Sequence, residues 1–270
     1  MKRWDLIIDR TPAGGAWNMA VDEYLFLSLS DTPATSVRFY QWARPTVSLG
    51  YSQDIERAAD TAFCRDNGID IVRRITGGKL VLHHDEVTYS VSSSDTETFT
   101  ENLGDSYRLV SRGLMCGLEK MELQVSLAGP PPAAYVRGVL PCFSHPGLDE
   151  VEWEGKKLIG SAQKRVASRF LQHGSIPLVK HEDLLRAVSF LDRKTSRLRM
   201  GSLSEALGRP VVFGWSVDRF AAGLEDLFGV EFTPRLFSPE ETAAIQSIRK
   251  ARYENPDWTL RRNPDLTVAF

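Results

Sequence analysis

The chain is short of cysteine, shows no surplus of either charge and has no long apolar run, and each shortage removes a class of protein. Its three cysteines, Cys64, Cys116 and Cys142, are odd in number, far apart and without a C-x-x-C pair. They are poor material for a disulfide framework or a zinc site and fit a reducing compartment. With 33 basic against 35 acidic residues the charge is balanced. That argues against a dedicated nucleic-acid binder, and no nucleic acid is expected as a partner. No apolar stretch is long enough to span a bilayer. The opening "MKRWDLIIDRTPAGGAWNMA" lacks the apolar core of a signal peptide. The expected location is the cytoplasm, without a membrane partner. Internal repeats and low-complexity tracts are lacking as well.

What is present suffices for one large domain or two small ones: 270 residues, 42% of them hydrophobic. "GAWNMAVDEYLFLSL" predicts a helix opening near Asn18, and "SVRFYQW" and "TVSLGYS" predict strands on either side of the Ala43–Pro45 break. "IERAADTAFCRDNG" predicts one helix closed by Asn67–Gly68, and "IDIVRRI" a strand running into Gly77–Gly78. "KLVLHHDEVTYSVSS" suggests extended structure, and "NLGDSYRLVSRGLMCGLEKM" a long amphipathic helix. "AGPPPAAYVRGVLPCFSHPGL" reads as a long surface loop. "EVEW", "KLIGSAQKR" and "FLQHGSIPLV" read as three antiparallel strands with Gly155 at the first turn. After residue 180 the pattern turns helical, and Ser238 with Glu241 spells a capping box around Pro239. The expected fold is α/β or α+β, a mixed and largely antiparallel sheet flanked by helices. Residues 1–200 would form the catalytic domain, and 201–270 a helical C-terminal extension packed on it.

Three stretches carry chemistry. In "RRITGGKLVLHH", the amides of Gly77 and Gly78, with Arg73, Arg74 and Lys79, are suited to an anionic or carbonyl group. A plain turn with exposed basic residues fits equally well. The glycines match neither a phosphate-binding loop nor a dinucleotide fingerprint. His83 and His84 are adjacent, so on a strand they face opposite sides and no metal pair is expected. His173 precedes Gly174 inside a predicted strand, which hints at close backbone approach. Cys64 and Cys116 lie among apolar residues on predicted helices, as buried and inert thiols do. Cys142 sits in a loop instead, three residues before His145, which is a possible base. Lys157 shares a strand face with Ile159 and Ser161. If that lysine lies near the thiol, its charge favours the nucleophilic thiolate.

Four stretches in this order, "NMAVDEYLF", "VRFYQWARPTVSLGYSQ", "GIDIVRRITGGKLVLHHDEVTYSV" and "EGKKLIGSAQKR…FLQHGSIPL", resemble the biotin/lipoate protein ligase family over residues 14 to 180. The resemblance implies a mixed-sheet domain with a bent tunnel for a medium acyl chain. It places Lys157, in "GKKLIGSA" with Gly160, Ser161 and Ala162, at the activated carboxyl group. "RRITGGK" falls at the tunnel mouth, and His173–Gly174 at the "HG" of the pattern before the third strand. Lys79 replaces the third glycine of the ATP-dependent ligases, and Cys142 stands where those ligases have an Asn-Asp pair. Both features are similar to the cysteine-dependent octanoyltransferases. His84 departs from the pattern, which usually has Asp after the histidine.

That resemblance implies transfer of octanoyl from octanoyl-acyl carrier protein, through a Cys142 thioester, to a lysine of a lipoyl-domain protein such as glycine cleavage protein H. No cofactor and no metal are implied. Lys157 would ease thiol ionisation and protonate the departing sulfur. Rival readings are an ATP-dependent lipoate–protein ligase, an amidotransferase between lipoyl proteins, a hydrolase using Cys142 and His145, and a non-catalytic lipoyl-domain scaffold.

Overall fold

The computed structural model describes residues 1–130, 142–190 and 198–261. Its centre is a six-stranded mixed sheet in the order Gly160–Val166, Arg169–Pro177, Glu86–Ser93, Thr35–Tyr40, Lys2–Ile8, Val230–Pro234. The first three pairings are antiparallel and the last two parallel. A second sheet has Thr46–Leu49 between Asp70–Arg73 and Val81–His83. A small third sheet joins Ser126–Leu127, Val151–Trp153 and Lys156–Lys157.

In "TSVRFY" and "EVTYSVSS", apolar residues alternate with polar ones, the pattern of a sheet with one wet face. Yet every residue of both strands is buried. Val37, Phe39, Val87 and Val91 pack beneath the helices Leu103–Glu119 and Phe213–Phe228. Arg38, Ser90 and Thr88 point the other way, toward the helix Gly15–Leu27 and the second sheet. The polar stripe is an interior wall.

The two covering helices touch backbone to backbone. A Cβ on Gly223 would lie 2.2 Å from the Gly117 nitrogen, and one on Gly117 would lie 2.8 Å from the Phe220 Cα. Gly223→Ala must therefore push the helices apart, and a destabilisation of about 1–3 kcal/mol is expected from overpacking. Thermal unfolding measures it, and an unchanged midpoint refutes the close crossing.

The helix Gly15–Leu27 begins three residues before Asn18, which is no cap. Asn18 is buried, and its amide donates to the Ala13 and Gln41 carbonyls at 3.3 and 3.0 Å while accepting from Arg38. The single helix expected over "IERAADTAFCRDNG" is two, Ile55–Ala58 and Thr61–Asp66. Asp60 interrupts it by accepting the Phe63 amide at 2.9 Å, a fresh N-cap. Lys2–Ile8 and Val230–Pro234 are strands that the residue pattern did not reveal, so the chain beyond residue 200 is not helical alone. The capping box of Ser238 and Glu241 is present.

Residues 131–141 of the expected surface loop lie outside the described residues. Of its described residues, Gly129, Pro130 and Leu148 are exposed as expected, but the part that carries the thiol turns inward. Cys142 begins a 3-10 turn whose Phe143 and Ser144 are buried, and its amide donates to the Leu80 carbonyl at 2.9 Å.

Candidate active site

The expected continuous strand "KLIGSAQKR" is broken. Lys156–Lys157 belongs to the third sheet and Gly160–Val166 to the central one. The break is a bulge: the amides of Leu158 and Ile159 both donate to the Val151 carbonyl, at 2.9 and 3.2 Å. Lys157, Leu158 and Ile159 are all buried in consequence, so the alternation that put Lys157 on one face with Ile159 and Ser161 does not hold.

The bulge aims Lys157 at the cysteine. Its Nζ lies 2.9 Å from Cys142 Sγ and 3.2 Å from the Cys142 carbonyl oxygen. It also lies 2.6 Å from Glu150 Oε2 and over the Phe143 ring. The Lys157 side chain is 0% exposed. An ammonium so enclosed must be paired and hydrogen-bonded, and Glu150 supplies the opposite charge. Glu150 also accepts the Gly147 amide at 2.5 Å, which ties the turn after Cys142 to the lysine.

Two further cations stand near the sulfur. Arg74 is buried, and desolvation pushes its guanidinium down to about 10 against the pull of Cys142. Lys79 is also pushed down, first by burial, with Cys142 opposing and Lys157 adding to the shift. Elsewhere in the fold, burial pushes the Cys64 thiol up to about 11 and also raises Cys116.

Cys142 lines a cavity with an empty volume of about 410 Å³, its open mouth included. The walls comprise Arg74, Gly78, His83, Gly160, Ser161, Ala162, His173 and Gly174, all expected from the sequence. Among the described residues, Met19, Tyr40, Ser48, Val81, Thr88 and Ser175 also line it, and nothing in the residue pattern singled these out.

Many wall residues are polar, but they are engaged with one another. Ser48 Oγ meets His83 Nε2 at 2.8 Å, and His83 Nδ1 meets Glu86 at 2.7 Å, while Ser175 and Thr88 donate to the same carboxylate. Thr76 Oγ1 meets His173 Nε2 at 2.6 Å, and His173 Nδ1 meets Asp22 at 2.9 Å. Tyr40, Ser90 and Arg38 also donate to Asp22. Burial works against the Asp22 carboxylate, yet the bond from His173 and the charge of Arg38 hold it below its ordinary value. Burial pushes His173 down, against Asp22, toward neutral imidazole. Polar side chains satisfied in this way among the described residues suit the wall to an apolar chain.

Three expected binding residues do not line this cavity. Arg73 spends its guanidinium on the carbonyls of Gly50, Tyr51, Gln53, Trp258 and Thr259, clamping the C-terminal helix Pro256–Thr259 to the second sheet. Its neighbour Arg74 faces the other way and donates to the Gly77 and Lys79 carbonyls, both at 2.8 Å. Gly77 and Lys79, held by those carbonyl bonds, flank Gly78, which at φ 92° lines the cavity.

The Lipoyl protein ligase A/B catalytic domain model matches residues 15–225. The chain belongs to that family. An octanoyltransferase LipM of Moorella thermoacetica is 36% identical over 91% of this chain and 93% of its own length. One from Brevibacillus brevis is 34% identical over 97% and 100%. In fold, a lipoate-protein ligase A bound with ATP superposes with a TM-score of 0.83 at 20% identity, covering 97% of this chain and all of that one. The bi-partite lipoate protein ligase of Thermoplasma acidophilum gives 0.82 at 20% identity over 98% and 99%. Among the described residues no helix is long and apolar enough to cross a membrane.

For a member of the lipoyl ligase family, Glu150 is the functional candidate that sequence reasoning missed. It sits seven residues before Lys157 in "LDEVEW", indistinguishable from a surface carboxylate until the turn folds back. Gly160 has a role beyond the motif too. A Cβ there would lie 2.7 Å from Lys157 Cε and 3.2 Å from Nζ. Gly160→Ala is expected to displace the ammonium and slow acyl transfer by roughly 10²-fold, the cost of an ångström of misplacement. Steady-state turnover alongside an unfolding curve checks this: a fall in turnover without loss of fold supports it, and unchanged turnover refutes it.

Proposed function

We propose that this chain is an octanoyltransferase of lipoate biosynthesis, carrying octanoyl from acyl carrier protein to a lysine of a lipoyl-domain protein through Cys142. The single observation behind this reading is the 2.9 Å contact between Lys157 Nζ and Cys142 Sγ on the wall of an internally satisfied cavity. The names borne by the full-length relatives support it.

The Cys142 thiolate attacks the thioester carbonyl of the donor, and a carbon–sulfur bond forms. The bond to the pantetheine sulfur breaks, and that sulfur leaves with the proton of Lys157. One thioester replaces another, so no ATP is consumed. In the second half the acceptor amine attacks the Cys142 thioester. The new carbon–nitrogen bond releases the Cys142 thiolate, and the amine proton returns to Lys157. Covalent catalysis of this kind splits one difficult transfer into two easier ones. Glu150 holds the lysine between turns of the cycle and matches its charge while it is an ammonium.

Chain length is read by burial. Each methylene is worth about 0.8 kcal/mol, so octanoyl is favoured over hexanoyl by about 1.6 kcal/mol, and longer chains are rejected sterically.

Intact mass spectrometry after incubation with octanoyl-acyl carrier protein tests the proposal. The expected result is one octanoyl adduct, formed without ATP and released by hydroxylamine. No adduct from an active donor, or labelling of the acceptor only with lipoate and ATP, overturns it. Octanoylated protein H offered as a donor distinguishes the amidotransfer route.

A further inference from the structure

A second cluster lies outside the cavity, on the turn between Val81–His83 and Glu86–Ser93. His83 faces the cavity and His84 faces out, as adjacent residues must. Across from His84 stands His181, the residue that opens the helix Glu182–Val188. The two imidazole centroids are 4.2 Å apart. Asp85 stands beside the pair, its Oδ2 2.9 Å from His181 Nε2 and 3.8 Å from His84 Nε2.

We propose that His84, Asp85 and His181 form a binding site for one divalent ion of the zinc, nickel and copper class. Their three donor atoms all lie within 4.8 Å of one another. Ligands held at 2.0–2.1 Å around a tetrahedral ion are about 3.3 Å apart, and the two distances to Asp85 straddle that spacing. Seating the ion requires the His181–Asp85 contact to open slightly, the His84–Asp85 contact to close, and the two imidazoles to turn so that their nitrogens converge. Two imidazoles and one carboxylate suit late first-row metals, whereas magnesium and calcium take oxygen donors.

The backbone holds these donors in place. Asp85 sits at φ 47°, and its carbonyl accepts the Leu178 and Val179 amides at 2.9 and 3.2 Å. Those bonds fix the turn to the segment that leads into His181. The side chains are 32%, 54% and 26% exposed for His84, Asp85 and His181, which leaves room for water as a fourth ligand. The same turn carries His83, and the strand before His181 carries His173 and Ser175, all on the cavity wall. An ion here would join two wall segments from outside.

Titration calorimetry of the full-length, chelator-treated protein with nickel ion tests the site, with magnesium as the control. One equivalent should bind and raise the melting temperature, as any ligand of the native state does. His84→Ala and His181→Ala should each weaken binding roughly ten-fold or more. Asp85→Asn, which keeps a residue tolerant of positive φ, should weaken it as well. These three side chains are partly exposed, so metal-free melting curves close to the parent establish that the variants fold. Nickel binding that persists unchanged in both histidine variants, as it would with a thiol as the ligand, overturns the proposal. So does nickel binding no tighter than magnesium.

Discussion

Cys142→Ser is expected to lower octanoyl transfer by roughly four orders of magnitude or more, the scale seen when a nucleophile that acts with a base is removed. The reason is chemical rather than steric. A serine hydroxyl occupies the same place against Lys157 Nζ, 2.9 Å from the present sulfur, but it is far harder to ionise and a poorer leaving group toward an amine. The variant should fold and melt like the parent, because the turn is held by the Cys142 amide and carbonyl, which the substitution keeps. Mass spectrometry should show no hydroxylamine-labile adduct. Transfer within ten-fold of the parent would remove Cys142 from the reaction and favour direct attack or an ATP-dependent route.

Lys157→Met carries two separable penalties. Loss of the proton donor should cost about 10²–10⁴-fold in turnover. The second penalty falls on stability. Glu150, at 8% side-chain exposure, has the Lys157 ammonium 2.6 Å away as its opposite charge. Breaking one side of such a buried pair costs about 3–5 kcal/mol. Denaturant unfolding reads the second effect and single-turnover transfer the first. Glu150→Gln divides them: an amide oxygen still accepts from Lys157, so a smaller loss of rate is expected, while the enclosed ammonium loses its opposite charge and stability should fall by a comparable amount. Adding Lys157→Met to Glu150→Gln should then cost less stability than Lys157→Met costs alone, since no unpaired carboxylate remains. Strict additivity would mean that the pair does not interact.

Legibility in the sequence followed the range of the interaction. The helix Leu103–Glu119, the capping box of Ser238 and Glu241, and the hairpin turn at Gly155 were readable because each depends on neighbours within a few residues. Cys142 and Lys157 were readable as candidates, since one was a thiol in a loop and the other a lysine on an apolar strand. Their partner Glu150 was not, and neither was the split between Arg73 and Arg74. Those two arginines look alike on a strand, but one clamps carbonyls of the C-terminal segment and the other braces the glycine turn. Which of them meets the cavity depends on what covers each face.

By itself the sequence determined the mixed α/β class, the opposite facing of His83 and His84, and the shortlist of a thiol, a lysine and a glycine turn. Local sterics and period-two alternation are enough for that. Tertiary structure decided that the polar stripes of the strands face inward and that a bulge at Leu158 and Ile159 swings Lys157 onto the thiol. It alone brought His181 beside His84 and Asp85. Such contacts join residues distant in the chain, and their energies come from burial and charge pairing that exist only once the layers have closed.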